Sequence, residues 1–206
     1  MMRYAHWLCF AFAAAMVLPA AGTVSAASSQ DWPCVQPKVP ELSLVSVWTG
    51  PPLDTTAGIW RSDPDIATLV GRLAARRTSE DEARGAIAEF AASSRDARRE
   101  KLLVLLAGLF ETINDERSAV IAGIERYGRK QKQLAETLRD ETAKLDSMRK
   151  DAAADPAKVA QMNDQLTWSL RVFDERKRSL RFVCEVPALI EQRLYILART
   201  IQAALQ

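Results

Sequence analysis

Two apolar stripes that can be folded onto one another restrict this chain more than any other feature. From residue 103 to 148, positions stepping by alternating threes and fours hold Leu103, Leu106, Phe110, Ile113, Arg117, Val120, Ile124, Tyr127, Gln131, Leu134, Leu138, Glu141, Leu145 and Met148. A second stripe with the same step holds Val159, Met162, Leu166, Ser169, Phe173, Arg176, Leu180, Val183, Pro187, Ile190, Leu194, Leu197, Ile201 and Ala204. A period of 3.5 sustained over several heptads is a coiled-coil signature, because it keeps one apolar seam facing a partner helix. Between the stripes, Ala152, Ala153 and Ala154 precede Asp155 and Pro156, a capping side chain followed by a proline suited to the first helical position. A reversal centred on residues 153 and 154 makes partner numbers add to 307. Met148 then meets Val159, Leu145 meets Met162, Leu134 meets Phe173, Tyr127 meets Leu180, and Phe110 meets Leu197, while Gln131 meets Arg176. The expected fold is therefore all-α: a long antiparallel coiled-coil hairpin over residues 94–206, turning near 151–156 and interrupted or kinked near Pro187.

Outside the seam, Leu102, Leu105 and Leu109 add apolar surface only near the hairpin's open end, which calls for further helices there. Residues 63–93 supply them. Asp63-Pro64 opens a first helix expected over 64–77, with Ile66, Leu69, Val70 and Leu73 on one face. Ser79 and Glu82 form a capping box for a second, ending near Ala92, whose inner face would be Ala83, Ala86, Ile87 and Phe90. Ser94 is the expected cap of the long helix. Together these predict a small helical-bundle base beneath a projecting hairpin. An unbroken helix over 95–150 would span roughly 80 Å at about 1.5 Å per residue.

Residues 27–62 carry Pro33, Pro37, Pro40, Pro51 and Pro52, which remove backbone donors and favour an irregular arm. With Trp32, Trp48, Trp60, Leu42, Leu44 and Val47, the arm holds too much apolar surface to hang free, so it should lie against the helices. Residues 1–26 have the form of a cleavable signal peptide: Arg3, an apolar run from about Trp7 to Leu18, and Val24-Ser25-Ala26 at the cut. An exported chain left with Cys34 and Cys184 is expected to pair them. That bond would staple the arm to the hairpin. No remaining apolar run approaches the roughly 20 residues needed to span a membrane, so the mature protein should be soluble, in the periplasm or secreted.

The chemistry is constrained by what cleavage removes. His6 is the only histidine, so the mature chain lacks a side chain that titrates near neutrality, and Ser-His-Asp and Cys-His arrangements are impossible. Histidine-containing metal sites are excluded as well, and no Cys-x-x-Cys-His suggests haem, so no cofactor is expected. Gly123 and Gly128 have the spacing of a phosphate-binding loop, but Arg129 stands where lysine belongs and the segment reads as helix. With 28 Lys and Arg against 26 Asp and Glu, and Arg3 lost on cleavage, no net field points to nucleic acid.

Two candidate surfaces remain. Folding the hairpin gathers Arg126, Arg129, Lys130 and Lys132 opposite Arg176, Lys177, Arg178 and Arg181, a cationic belt suited to an acidic protein, an anionic glycan or lipid headgroups. Glu125, Asp174 and Glu175 offer local pairs that would make it an ordinary solvated face. Trp48, before Gly50-Pro51-Pro52, could display its ring to a partner, although burial against the base is the expected fate of so large an apolar group. The layout resembles, in architecture, periplasmic chaperones with helical-hairpin arms. The leading expectation is a non-enzymatic envelope interaction protein: an assembly factor, a chaperone-like protein or an accessory subunit with an envelope protein partner. The contrasting expectations are a carboxylate-dependent hydrolase or lyase acting on envelope polysaccharide, and a self-associating envelope scaffold.

Overall fold

The computed structural model describes residues 31–53 and 58–206, and the expected signal peptide lies outside them. Among the described residues the fold is all-α. In chain order it has α1 (Leu44–Val47), a 3-10 turn (Ile59–Ser62), α2 (Pro64–Ala74), α3 (Glu80–Ser93), a second 3-10 turn (Arg95–Ala97), α4 (Arg98–Lys150) and α5 (Pro156–Ala204). The 53 residues of α4 make it about 80 Å long.

The helix starts follow their caps. Asp63 accepts from the backbone N–H groups of Asp65 and Ile66, Ser79 and Glu82 close a reciprocal capping box, and Asp155 accepts from Ala157 N–H. The ends are decided by tertiary contacts. Helix α2 stops at Ala74 rather than at 77, because the Thr78 hydroxyl takes the Arg72 carbonyl and the Arg193 guanidinium, reaching over from α5, takes those of Leu73 and Thr78. Ser94 does not cap α4. Its hydroxyl donates to the Phe90 carbonyl at the end of α3, and α4 starts only after the 3-10 turn, where Arg95 has a left-handed φ of 44°.

In the base, α2 and α3 cover the lower ends of α4 and α5. One core joins Ile66, Val70 and Leu73 to Ala83 and Ile87, to Leu102, Leu105, Leu106, Leu109 and Ile113, and to Ile190, Leu194, Leu197 and Ile201. The extra leucines outside the seam are those that the two short helices bury. Gly108 belongs to the same packing: a Cβ there would stand 2.8 Å from Val70 and 2.9 Å from Trp60.

Above the base the hairpin thins to two helices, with a second, smaller core of Leu138, Leu145 and Leu166 flanked by Leu134, Val159, Met162 and Phe173. Along α4 the seam positions from 103 to 148 are all buried or half-buried. Cross-hairpin bonds fix the register: Tyr127 Oη donates to the Arg176 carbonyl at 3.0 Å, Arg117 approaches Glu191 at 3.6 Å, and Arg149 donates to Asn163 Oδ1 at 2.7 Å. These pairs add to 303, 308 and 312, bracketing 307 within the reach of long side chains.

Three seam positions, Gln131, Arg176 and Pro187, differ from the sequence expectation. Arg176 does not face Gln131; its side chain is exposed, and only its carbonyl is engaged, by Tyr127. Gln131 Oε1 and Glu141 Oε2 are left buried without a partner among the described residues, the cost of polar groups in the seam. Pro187 does not interrupt the second arm. It is buried inside α5, which continues past it to Ala204.

Candidate interaction surface

Among its described residues the arm has only the four-residue α1, the Ile59–Ser62 turn and no strand to satisfy its backbone, so side chains of α4 do much of this. It runs antiparallel to α4 and is held at successive turns. Asp31 pairs with Arg129 at 3.1 Å and Lys132 at 3.4 Å, and Lys38 with Glu125 at 2.7 Å. Arg117 Nη1 donates to the Val39 carbonyl at 2.7 Å, Ser118 Oγ to that of Pro40 at 2.8 Å, and Asn114 Oδ1 accepts from Leu42 N–H at 2.8 Å. At the base, Glu111 accepts from Trp60 Nε1 at 2.9 Å, Arg61 Nη1 at 2.7 Å and Gly58 N–H at 3.2 Å. The donors from Trp60 and Arg61 hold the Glu111 carboxyl below its ordinary value, against the opposing effect of burial. Asp31 is likewise lowered, chiefly by its bond from Arg129.

Arg117, a seam residue, is thereby explained: 6% exposed, it spans from the arm's Val39 carbonyl to Glu191 on α5. Gly128 is explained too. A Cβ there would collide with the Asp31 carbonyl and touch the Pro33 ring, so the glycine lets the arm lie flat on α4. The Gly123 and Gly128 spacing serves this packing, inside an unbroken helix. Just beyond, Cys34 is bonded to Cys184 of α5, with their Cα atoms 5.6 Å apart. The bond closes a loop of sequence separation 150, worth about 5 kcal/mol in the chain-entropy account.

Of the two surfaces read from the sequence, the tryptophan is turned inward. Trp48 is 6% exposed, its indole lies against Gly50 and its Nε1 donates to the Pro51 carbonyl at 2.7 Å, so it displays no ring to a partner.

The cationic belt is exposed at all of its positions, Arg126, Arg129, Lys130, Lys132, Arg176, Lys177, Arg178 and Arg181. It is not one patch. At 100° per residue, Arg129 and Lys132 share the side of α4 on which Gly128 meets the arm, while Arg126 and Lys130 lie nearly opposite. On α5, Lys177 and Arg181 share the side of Cys184 and Arg176 turns away from them. Arg129 and Lys132 are held by Asp31, and Arg178 pairs with Glu175 at 2.8 Å. Arg126, Lys130, Arg176, Lys177 and Arg181 have no ion pair among the described residues. The belt thus encircles the shaft, partly neutralised on the arm side.

The carboxylates with resolved shifts are all lowered. Glu111, Asp63, Glu82 and Asp31 accept bonds from backbone N–H groups, hydroxyls, Trp60 or cations. A general acid needs the opposite, a carboxyl whose surroundings raise it. The groove between α3 and α5 sets Glu80 beside Arg76 and Arg193, and that between α2 and α3 sets Asp65 and Glu89 around Arg72.

Sequence reasoning missed the polar ladder Glu111, Asn114, Arg117, Ser118 and Glu125. Its members recur at helical spacing along α4, Arg117 in the seam and the others beside it, a signal present in the sequence but meaningless until the arm is known to run there. No helix among the described residues is long and apolar enough to cross a membrane, and none of them form a cluster of metal-ligating side chains. The Cys34–Cys184 bond is compatible with an extracytoplasmic location. Comparison with protein-family models, curated proteins and solved structures finds no match for the chain.

Proposed function

We propose that this chain is a non-enzymatic interaction protein of the cell envelope, exported to the periplasm or beyond, that presents the mid-shaft of its hairpin to an acidic protein partner. The observation that carries this reading is the set of cations without ion partners among the described residues, Arg126, Lys130 and Arg176 on one side and Lys177 and Arg181 on the other, around a shaft two helices thick. Five like charges on a narrow rod repel one another, and an acidic surface relieves that repulsion. The lowered carboxyls support this reading over the polysaccharide hydrolase or lyase, since each already serves as an acceptor that holds the fold together.

The test is crosslinking from the shaft in the native envelope, with capture repeated over a range of salt. Binding through the cations weakens steeply as ionic strength rises, and Arg126→Glu with Lys130→Glu abolishes it while leaving the helical circular dichroism unchanged. Capture indifferent to both salt and charge reversal would remove the proposal. Recovery of the mature chain in the cytoplasm with free Cys34 and Cys184 thiols would remove the envelope assignment.

A further inference from the structure

The outer face of α5 carries a second pattern that the cationic shaft does not use. Trp168, Phe182 and Leu189 are 64%, 69% and 58% exposed, and with Glu175 and Ile196 they recur every seven residues on one line. Seven residues advance a helix by almost two turns, so these side chains form a stripe pointing away from the hairpin seam. At its lower end the stripe runs into a groove of about 280 Å³ between α3 and α5, where Leu189 and Ile196 form one wall and Ala83 and Glu80 the other. Beside the stripe, also at heptad spacing, stand Arg171, Arg178, Glu185 and Gln192, all exposed. Glu185 has no ion pair among the described residues.

We propose that this face is closed by a second copy of the chain, in an antiparallel α5 to α5 pair about a two-fold axis at Phe182, with Trp168 of each copy seated in the groove of the other. Two observations select this occupant. First, the charge column is self-complementary in one direction only. Arg178 lies four residues before the axis residue and Glu185 three after, so a two-fold sets them about 1.5 Å apart in height and on the same side of the pair, twice. A parallel two-fold would instead carry the two columns to opposite sides of the pair, where they could not meet.

Second, the same axis carries Trp168 opposite Ile196. A helical side chain leans toward its own N-terminus, which in the antiparallel copy is toward the groove. The largest exposed ring thus meets a concavity adjoining the stripe. Such a pair is isologous, so Phe182 packs on its own equivalent. The axis also sets Glu175 opposite Leu189, so Arg178, bonded to Glu175 at 2.8 Å, keeps that carboxylate paired while its fork reaches the other copy's Glu185.

The pairing uses a different face from Arg126 and Lys130, so it stands or falls separately from the acidic-partner reading. Sedimentation of the mature chain over a wide concentration range is expected to show a reversible monomer–dimer equilibrium, and a photocrosslinking residue at position 182 to link the two copies at that same position. Trp168→Ala and Phe182→Asp each weaken dimerisation by about tenfold or more. Both sites are exposed, so the helical signal should stay unchanged. Arg178→Glu and Glu185→Arg each weaken it as single changes, and the double reversal restores it. Arg126→Glu leaves it intact. A monomer at every concentration, a dimer indifferent to Trp168 and Phe182, or a double reversal weaker than either single change would overturn the proposal.

Discussion

The base and the distal shaft are made from the same two helices, yet they are held by different amounts of structure. At the base, α4 and α5 are wrapped by α2, α3 and the arm, and Leu102, Leu105, Leu106, Leu109, Leu194, Ala198 and Ile201 are wholly withdrawn from solvent. Beyond the disulfide only the seam is covered, by a core of three buried residues with partly exposed neighbours. Two helices in contact share one stripe, so each keeps most of its circumference in water, whereas a four-helix cluster can enclose residues on several sides. Stability is therefore concentrated at the base, and the shaft trades burial for accessible surface. The disulfide and the arm sit at the transition between the two regimes, where they extend the constraint of the base part of the way up the hairpin.

The comparison can be broken most strongly at that transition. Replacing both cysteines, Cys34→Ser with Cys184→Ser, should cost about 2 to 5 kcal/mol in denaturant unfolding. Hydrogen exchange should localise the loss to the arm and the mid-shaft rather than to Leu106 and its neighbours. Truncation at matched leucines gives the next effect. Leu106→Ala in the base should cost about 4 kcal/mol and Leu138→Ala in the shaft about 2 kcal/mol, since the thinner shaft can collapse around the cavity. Equal losses at the two sites would contradict the division.

Acid sharpens the comparison further. Glu111, which anchors the arm at the base, has a folded pKa below its ordinary 4.5. Its contribution is complete above that ordinary value and is lost as pH falls through the lowered one. Asp31 at the other end of the arm, lowered from 3.8, acts in the same sense. Below about pH 4 the arm should loosen before the hairpin unfolds, seen as a change in tryptophan fluorescence that precedes loss of helical signal. Glu111→Gln should flatten the change assigned to the base end. The smallest expected effect is a gain. Arg95 holds a left-handed φ of 44° between α3 and α4, and Arg95→Gly should raise stability by about 1 kcal/mol in thermal unfolding.

Much of this molecule could be read from its residues. The seam from Leu103 to Met148, the reversal at Asp155 and Pro156, the caps at Asp63 and Ser79 and the pairing of Cys34 with Cys184 all have local or periodic signals. The cationic residues were legible as a group, but their division between two sides of the shaft was not, because that depends on where the arm lies. The same reason hid the purpose of Gly128, of Arg117 in the seam and of the ladder from Glu111 to Glu125. Trp48 illustrates the converse: composition showed that it needed cover, and only the folded turn at Gly50 and Pro51 showed what covers it.

The sequence by itself determined the helices, their antiparallel direction and their register. These follow from a period of 3.5 and a capped reversal, which act between residues near in the chain or repeated along it. The tertiary structure alone decided how the arm is docked, where α2 ends and which cations remain without a partner. Those outcomes rest on contacts between residues dozens of positions apart, such as Arg193 with Leu73 and Asp31 with Arg129. Their geometry exists only after the hairpin has closed.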